Sequence, residues 1–70
     1  MSALDTRLLE AHARDDRHAL VSLYTAAADT TRDADAEGFY LTHAYVFALE
    51  VGDSTAASLH ARLKAAGRVE

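Results

Sequence analysis

The chain has 70 residues, no cysteine, no proline and a formal net charge of −4. That length holds one small domain with a single core, and the lack of cysteine excludes a disulfide scaffold, a thiolate zinc site and a thiol nucleophile. Seven basic residues face eleven acidic ones with no run of three Lys or Arg, so the basic footprint of a nucleic-acid partner is missing.

Half of the residues are hydrophobic, but 16 of them are alanine, which leaves nine Leu, four Val, three Tyr, two Phe and one Met as the larger apolar side chains. Such a set makes a thin core and favours extra burial against a partner or a second copy. No stretch is long and apolar enough to span a membrane. The opening Met1-Ser2-Ala3-Leu4-Asp5 carries an acidic residue and no apolar run, unlike a signal peptide, so a cytoplasmic location and no membrane partner are expected. Six Arg to one Lys, abundant Ala and no Ile fit a GC-rich bacterial coding sequence.

Strong helix formers without proline predict an all-α fold, a single domain over residues 1–70 made of four short antiparallel helices in two hairpins, at about 3–31 and 34–67. The first helix is expected over about Leu4 to Ala13, with Ser2 as N-cap and Leu4, Leu8 and Ala11 on one face. It stops near Arg14-Asp15-Asp16, where either aspartate can cap the second helix. That helix carries the apolar stripe Leu20, Leu23, Tyr24 and Ala27, and Asp29-Thr30-Thr31-Arg32-Asp33 breaks it.

The acidic stretch Asp33-Ala34-Asp35-Ala36-Glu37-Gly38 suits the start of the third helix, where unpaired amides and the macrodipole favour negative charge. From Phe39 to Val51 only Thr42, His43 and Glu50 are clearly polar, which predicts a central helix apolar nearly all round. Residues 40, 44, 47 and 51 share one face, and 39, 42, 46 and 49 share another. Gly52 suits a left-handed helix end, with Asp53 or Ser54 as the next N-cap. The fourth helix is expected over about Thr55 to Ala66, with Ala56, Leu59, His60 and Leu63 inward and Gly67 at its end. The tail Arg68-Val69-Glu70 carries no structural signal.

At an offset of 36 or 37 residues Leu4 meets Leu41, Asp15-Asp16 meets Gly52-Asp53, and Leu23 meets Leu59. The stretch from Tyr40 to Asp53 with Ala56-Ala57 resembles a tetratricopeptide repeat, with its Gly-Asp turn and a small residue at Ala57. Tyr24, Ala27 and Ala28 match the aromatic and small positions of the first half. The resemblance implies two stacked helical hairpins. Tyr45, Ala48 and Lys64 depart from the pattern, and no proline closes either repeat. A four-helix bundle without repeats is the other architecture.

His12 and His18 flank Asp15 and Asp16 at the first turn, a spacing that caps explain as well as a metal does. His43 and His60 lie nine residues before Gly52 and eight after it. Two antiparallel helices then set both rings at one level, where they are candidate metal ligands or, with Glu50 or Tyr45, proton carriers. Half-buried packing is the simpler reading of both. The serines sit in no nucleophile elbow and the glycines form no phosphate loop, so neither catalysis nor a cofactor is implied. The aromatic set Phe39, Tyr40, Tyr45 and Phe47 points most directly to function. Three short helices do not readily cover every side of the third, and an exposed aromatic surface is a docking face. The expectation is a non-catalytic interaction module that uses these four residues toward a protein partner or a second copy; the alternative is a metal-binding protein using His43 and His60.

Overall fold

The computed structural model describes residues 3–69 and contains four helices, α1 (Ala3–Ala13), α2 (Arg17–Thr30), α3 (Ala34–Val51) and α4 (Ala56–Ala65), with no strand among the described residues. The fold is all-α. The expected cap Ser2 lies outside the described residues, as does Glu70. Close helix packing joins consecutive elements, α1 to α2, α2 to α3 and α3 to α4, which is compatible with two hairpins. No feature of the described residues marks the halves as repeats of one unit.

The connections explain why each helix stops where it does. Asp15 takes a left-handed conformation, φ 53°, which lets the Asp16 amide donate back to the Ala11 carbonyl at 2.9 Å. Asp16 then caps α2, its carboxylate accepting from the Ala19 amide at 3.2 Å. Asp33 caps α3 in the same way, accepting from Asp35 N at 2.9 Å and Ala36 N at 3.5 Å. Gly52, at φ 69°, ends α3, and the Asp53 amide closes the turn on the Ala48 carbonyl at 2.8 Å.

The start of α4 differs from expectation. Neither Asp53 nor Ser54 is its N-cap: Thr55 holds that position without a side-chain cap bond. The Asp53 carboxylate instead accepts from the Thr55 amide at 2.9 Å and hydroxyl at 2.8 Å. An aspartate hydrogen-bonded to the backbone two residues on makes a turn of its own, and that turn delays the helix.

The core has two parts. Val21, Ala28, Leu41, Ala44, Ala48, Leu59 and Leu63 form a cluster shared by α2, α3 and α4, with Val69 of the tail packed against it. Ala11, Leu20 and Leu23 form a smaller one, covered by Leu4, Leu8 and Phe47. The tail is therefore structured: Arg68 pairs with Asp35 at 2.8 Å and donates to the Ala34 carbonyl at 3.0 Å. Its guanidinium lies over Gly38, where a Cβ would meet Arg68 Nε at 2.6 Å.

Arg62 of α4 also reaches Asp29 of α2 at 2.8 Å, a side-chain bridge between two helices whose backbones do not approach closely. The Cα envelope measures 32 × 28 × 12 Å. A single flat layer of helices needs about 5 Å between outermost Cα atoms and two closely stacked layers about 13 to 15 Å, so the depth of the molecule is close to that of two layers.

Candidate functional site

Helix periodicity sorts the expected site residues of α3 onto three faces. One is used up by the fold around Tyr24 of α2. Tyr24 Oη and His12 Nε2 of α1 share a hydrogen bond at 2.8 Å. Around the Tyr24 ring stand His12, Tyr40, His43 and Phe47, with centroids 5.8, 6.2, 5.1 and 6.1 Å away. His12 also meets Phe47 edge-on at 6.0 Å. These contacts tie α1 to α3 across α2, so Tyr40 and Phe47, both half-buried, belong to the aromatic lock of the fold. Burial raises the Tyr24 pKa above its ordinary 10.0, and the neighbouring Tyr40 adds to the effect.

The second face looks toward α4. Tyr45 is half-buried there with its ring 5.5 Å from His60, on a different side of α3 from Phe47. His43 stands elsewhere. Its ring lies 4.2 Å from Phe39 and 5.1 Å from Tyr24, and its Nδ1 donates to the Phe39 carbonyl at 2.9 Å. Positions 43 and 45 are about 200° apart around a helix, so the partners of His43 and His60 point in different directions and the two rings are not brought together. Among the described residues no three of His, Asp or Glu group as a metal would need. At the first turn, Asp15 pairs with Arg17 at 3.3 Å and Asp16 with Arg14 at 3.8 Å, so both carboxylates serve the turn.

The third face is open. Phe39 is 56% exposed, Val46 46% and Leu49 56%, with Thr42 between them also exposed. They lie along one stripe, nearly opposite the buried Leu41, Ala44 and Ala48. A shallow apolar hollow runs beside it over Thr42, His43, Val46, Phe47 and Glu50, and a second lies on its other flank between Tyr45, Leu49, Ala56, Ala57 and His60. Of the four expected contact residues only Phe39 sits on this face. Val46 and Leu49 were missing from that set, although the spacing 39, 42, 46, 49 already placed them beside Phe39.

Among the described residues no helix is long and apolar enough to cross a membrane. Compared with family models, curated proteins and solved structures, the chain matches none.

Proposed function

We propose that this protein is a small, non-catalytic helical interaction module whose contact surface is the outer face of α3. The observation that carries the reading is the exposed stripe Phe39, Val46 and Leu49 on the central helix. Large apolar side chains aligned on one helix face, with a polar surround, suit the apolar face of another protein helix. Single exposed apolar residues such as Leu9 on α1 are ordinary; three in register on one face of the central helix are a surface. The stripe takes Phe39 from the aromatic set expected from the sequence, with Tyr40, Tyr45 and Phe47 half-buried on its flanks.

The test is site-specific photo-crosslinking in the native cell, with benzoylphenylalanine at position 39, 46 or 49 and at Lys64 as an exposed control on α4. Protein adducts are expected from the stripe and not from position 64, and the adduct at 39 should vanish when Leu49 is replaced by Glu. Equal labelling from all four positions, or none from the stripe, would refute the surface.

A further inference from the structure

The first helix is held differently from the other three, and the apolar floor it covers borders the open stripe. Resting on the reading of α3 as the contact surface, we propose that α1 is a lid. It undocks as a unit about the turn at residues 14–16, bares Leu20, Leu23 and Phe47, and so carries the contact surface from α3 onto α2.

The attachment of α1 is narrow. It packs closely on α2 alone, whereas α2, α3 and α4 share the larger cluster around Leu41 and Ala44. Among the described residues of α1 only Ala11 is fully buried, with Leu4 and Leu8 half-buried against Leu20 and Leu23. The latch is His12, bonded through Nε2 to Tyr24 Oη at 2.8 Å and set edge-on to Phe47 at 6.0 Å. A helix of 11 residues is too short to persist by itself in water, so α1 keeps its helical form only while docked.

The turn provides the hinge. Asp15 holds a left-handed conformation, φ 53°, which is disfavoured for a residue carrying a Cβ. What remains behind is fixed without α1. Asp16 caps α2 through the Ala19 amide, Arg17 of the first turn of α2 pairs with Glu50 at the end of α3 at 3.1 Å, and α2 and α3 share the most extensive helix contact of the molecule. The lid therefore lifts without parting α2 from α3.

Phe47 joins the covered floor to the open surface. It packs under α1 against Leu20 and Leu23, and it also lines the apolar hollow with Thr42, His43, Val46 and Glu50 beside the stripe. With α1 closed, α1 itself is the occupant of the floor. With α1 raised, floor and hollow become one apolar surface across α2 and α3. A partner that needs the joined surface meets only the fraction of molecules with the lid raised, and its apparent affinity scales with that fraction.

Native-state hydrogen exchange of the full chain in low urea tests the lid. Amides of residues 9–13 are expected to exchange through an opening that is more frequent and less urea-dependent than that of Leu41, Ala44 and Ala48, since less surface is exposed. Leu8→Ala should raise that opening on the order of tenfold, and Leu9→Ala, at an exposed residue of the same helix, should leave it unchanged. Val69→Ala, half-buried on the main cluster, should speed exchange at 41, 44 and 48 and leave α1 as it was. One shared opening for α1 and α3, shifted equally by Val69→Ala, overturns the lid, and so do unprotected amides in α1, because nothing is then closed. The gate is read by photo-crosslinking from position 46 in the native cell, where Leu8→Ala should raise the adduct yield together with the opening. An unchanged yield overturns the gate and leaves the contact surface standing. No adduct in either chain overturns the contact surface, while an opening confined to α1 still stands on the exchange data.

Discussion

Gly38 sits buried in the second turn of α3, one residue before the exposed Phe39, and replacing it by alanine sets two effects of opposite sign against each other. Its backbone is helical, so alanine fits without strain, and alanine in a helix interior is favoured over glycine by about 0.8 to 1 kcal/mol. Against this, the new Cβ would lie 2.6 Å from Arg68 Nε, 2.8 Å from Cζ and 3.1 Å from Cδ. All three atoms belong to the far end of a flexible side chain, so the guanidinium moves and the helix does not. What is lost is the ion pair to Asp35, whose side chain is 91% exposed, worth about 0 to 1 kcal/mol, and a carbonyl contact that water can replace. Gly38→Ala is expected to leave stability unchanged or raise it by up to about 1 kcal/mol, a melting shift of about 4 to 8 °C per kcal/mol for a domain of this size. Thermal and urea unfolding of the wild type, Gly38→Ala, Arg68→Ala and the double variant would be compared at one protein concentration, since association shifts the midpoint. With Arg68 removed the alanine gain should appear in full, so the two changes are non-additive. If Gly38→Ala costs more than about 1 kcal/mol even in the Arg68→Ala background, the Cβ meets something other than the tail and the reasoning fails.

Gly52→Ala places a side chain at φ 69° and should cost about 1 to 2 kcal/mol by chemical denaturation. Tyr24→Phe keeps the ring and removes the hydroxyl bonded to His12; a loss of about 0.5 to 1.5 kcal/mol is expected, with faster amide exchange in α1 than in α2 or α3. Because burial raises the folded Tyr24 pKa above 10.0, its protonated form contributes stability that is present below pH 10 and lost as pH rises through the folded value. Alkaline melts of the wild type should fall more steeply than those of Tyr24→Phe. Asp53 behaves oppositely: the Thr55 amide, then the Thr55 hydroxyl, hold its carboxylate below the ordinary 3.8. Its contribution is present above that value and lost as pH falls through the folded one, so Asp53→Asn should flatten the acid limb of the melting curve.

Much of the fold was legible because its signals are local. Asp33 and Gly52 mark the ends of α3 through hydrogen bonds and backbone geometry within a few residues of each, and the polar breaks at 14–16 and 31–33 do the same for α1 and α2. The tail was not legible. Arg68 acts only because α4 returns the chain to the start of α3, some thirty residues back in sequence, where Gly38 leaves room. The faces of α3 were half legible. Grouping 39, 42, 46 and 49 needs only helix geometry, but deciding that this group stays open depends on where α2 and α4 pack on α3. The histidine pair misleads for a related reason: equal distance from a turn sets the level of a residue along an antiparallel pair, while its direction around the helix is set separately.

Alanine links the thin core to the open face. Ala28, Ala44 and Ala48 are at most 1% exposed, and small residues at these positions set how closely α2 approaches α3. With α2 and α4 each packed on α3, Phe39, Val46 and Leu49 are left facing out. Ala44→Leu tests the dependence, since Ala44 is 0% exposed and three added carbons have no cavity to enter. The helices must part, and overpacking of this kind costs about 1 to 3 kcal/mol. Ala57→Leu, on the exposed flank of α4, adds the same bulk and should stay within about 0.5 kcal/mol of wild type in monomer stability, as surface changes do. If both substitutions are equally tolerated in urea unfolding, helix spacing is not set by alanine, and the outward placement of Phe39, Val46 and Leu49 needs another cause.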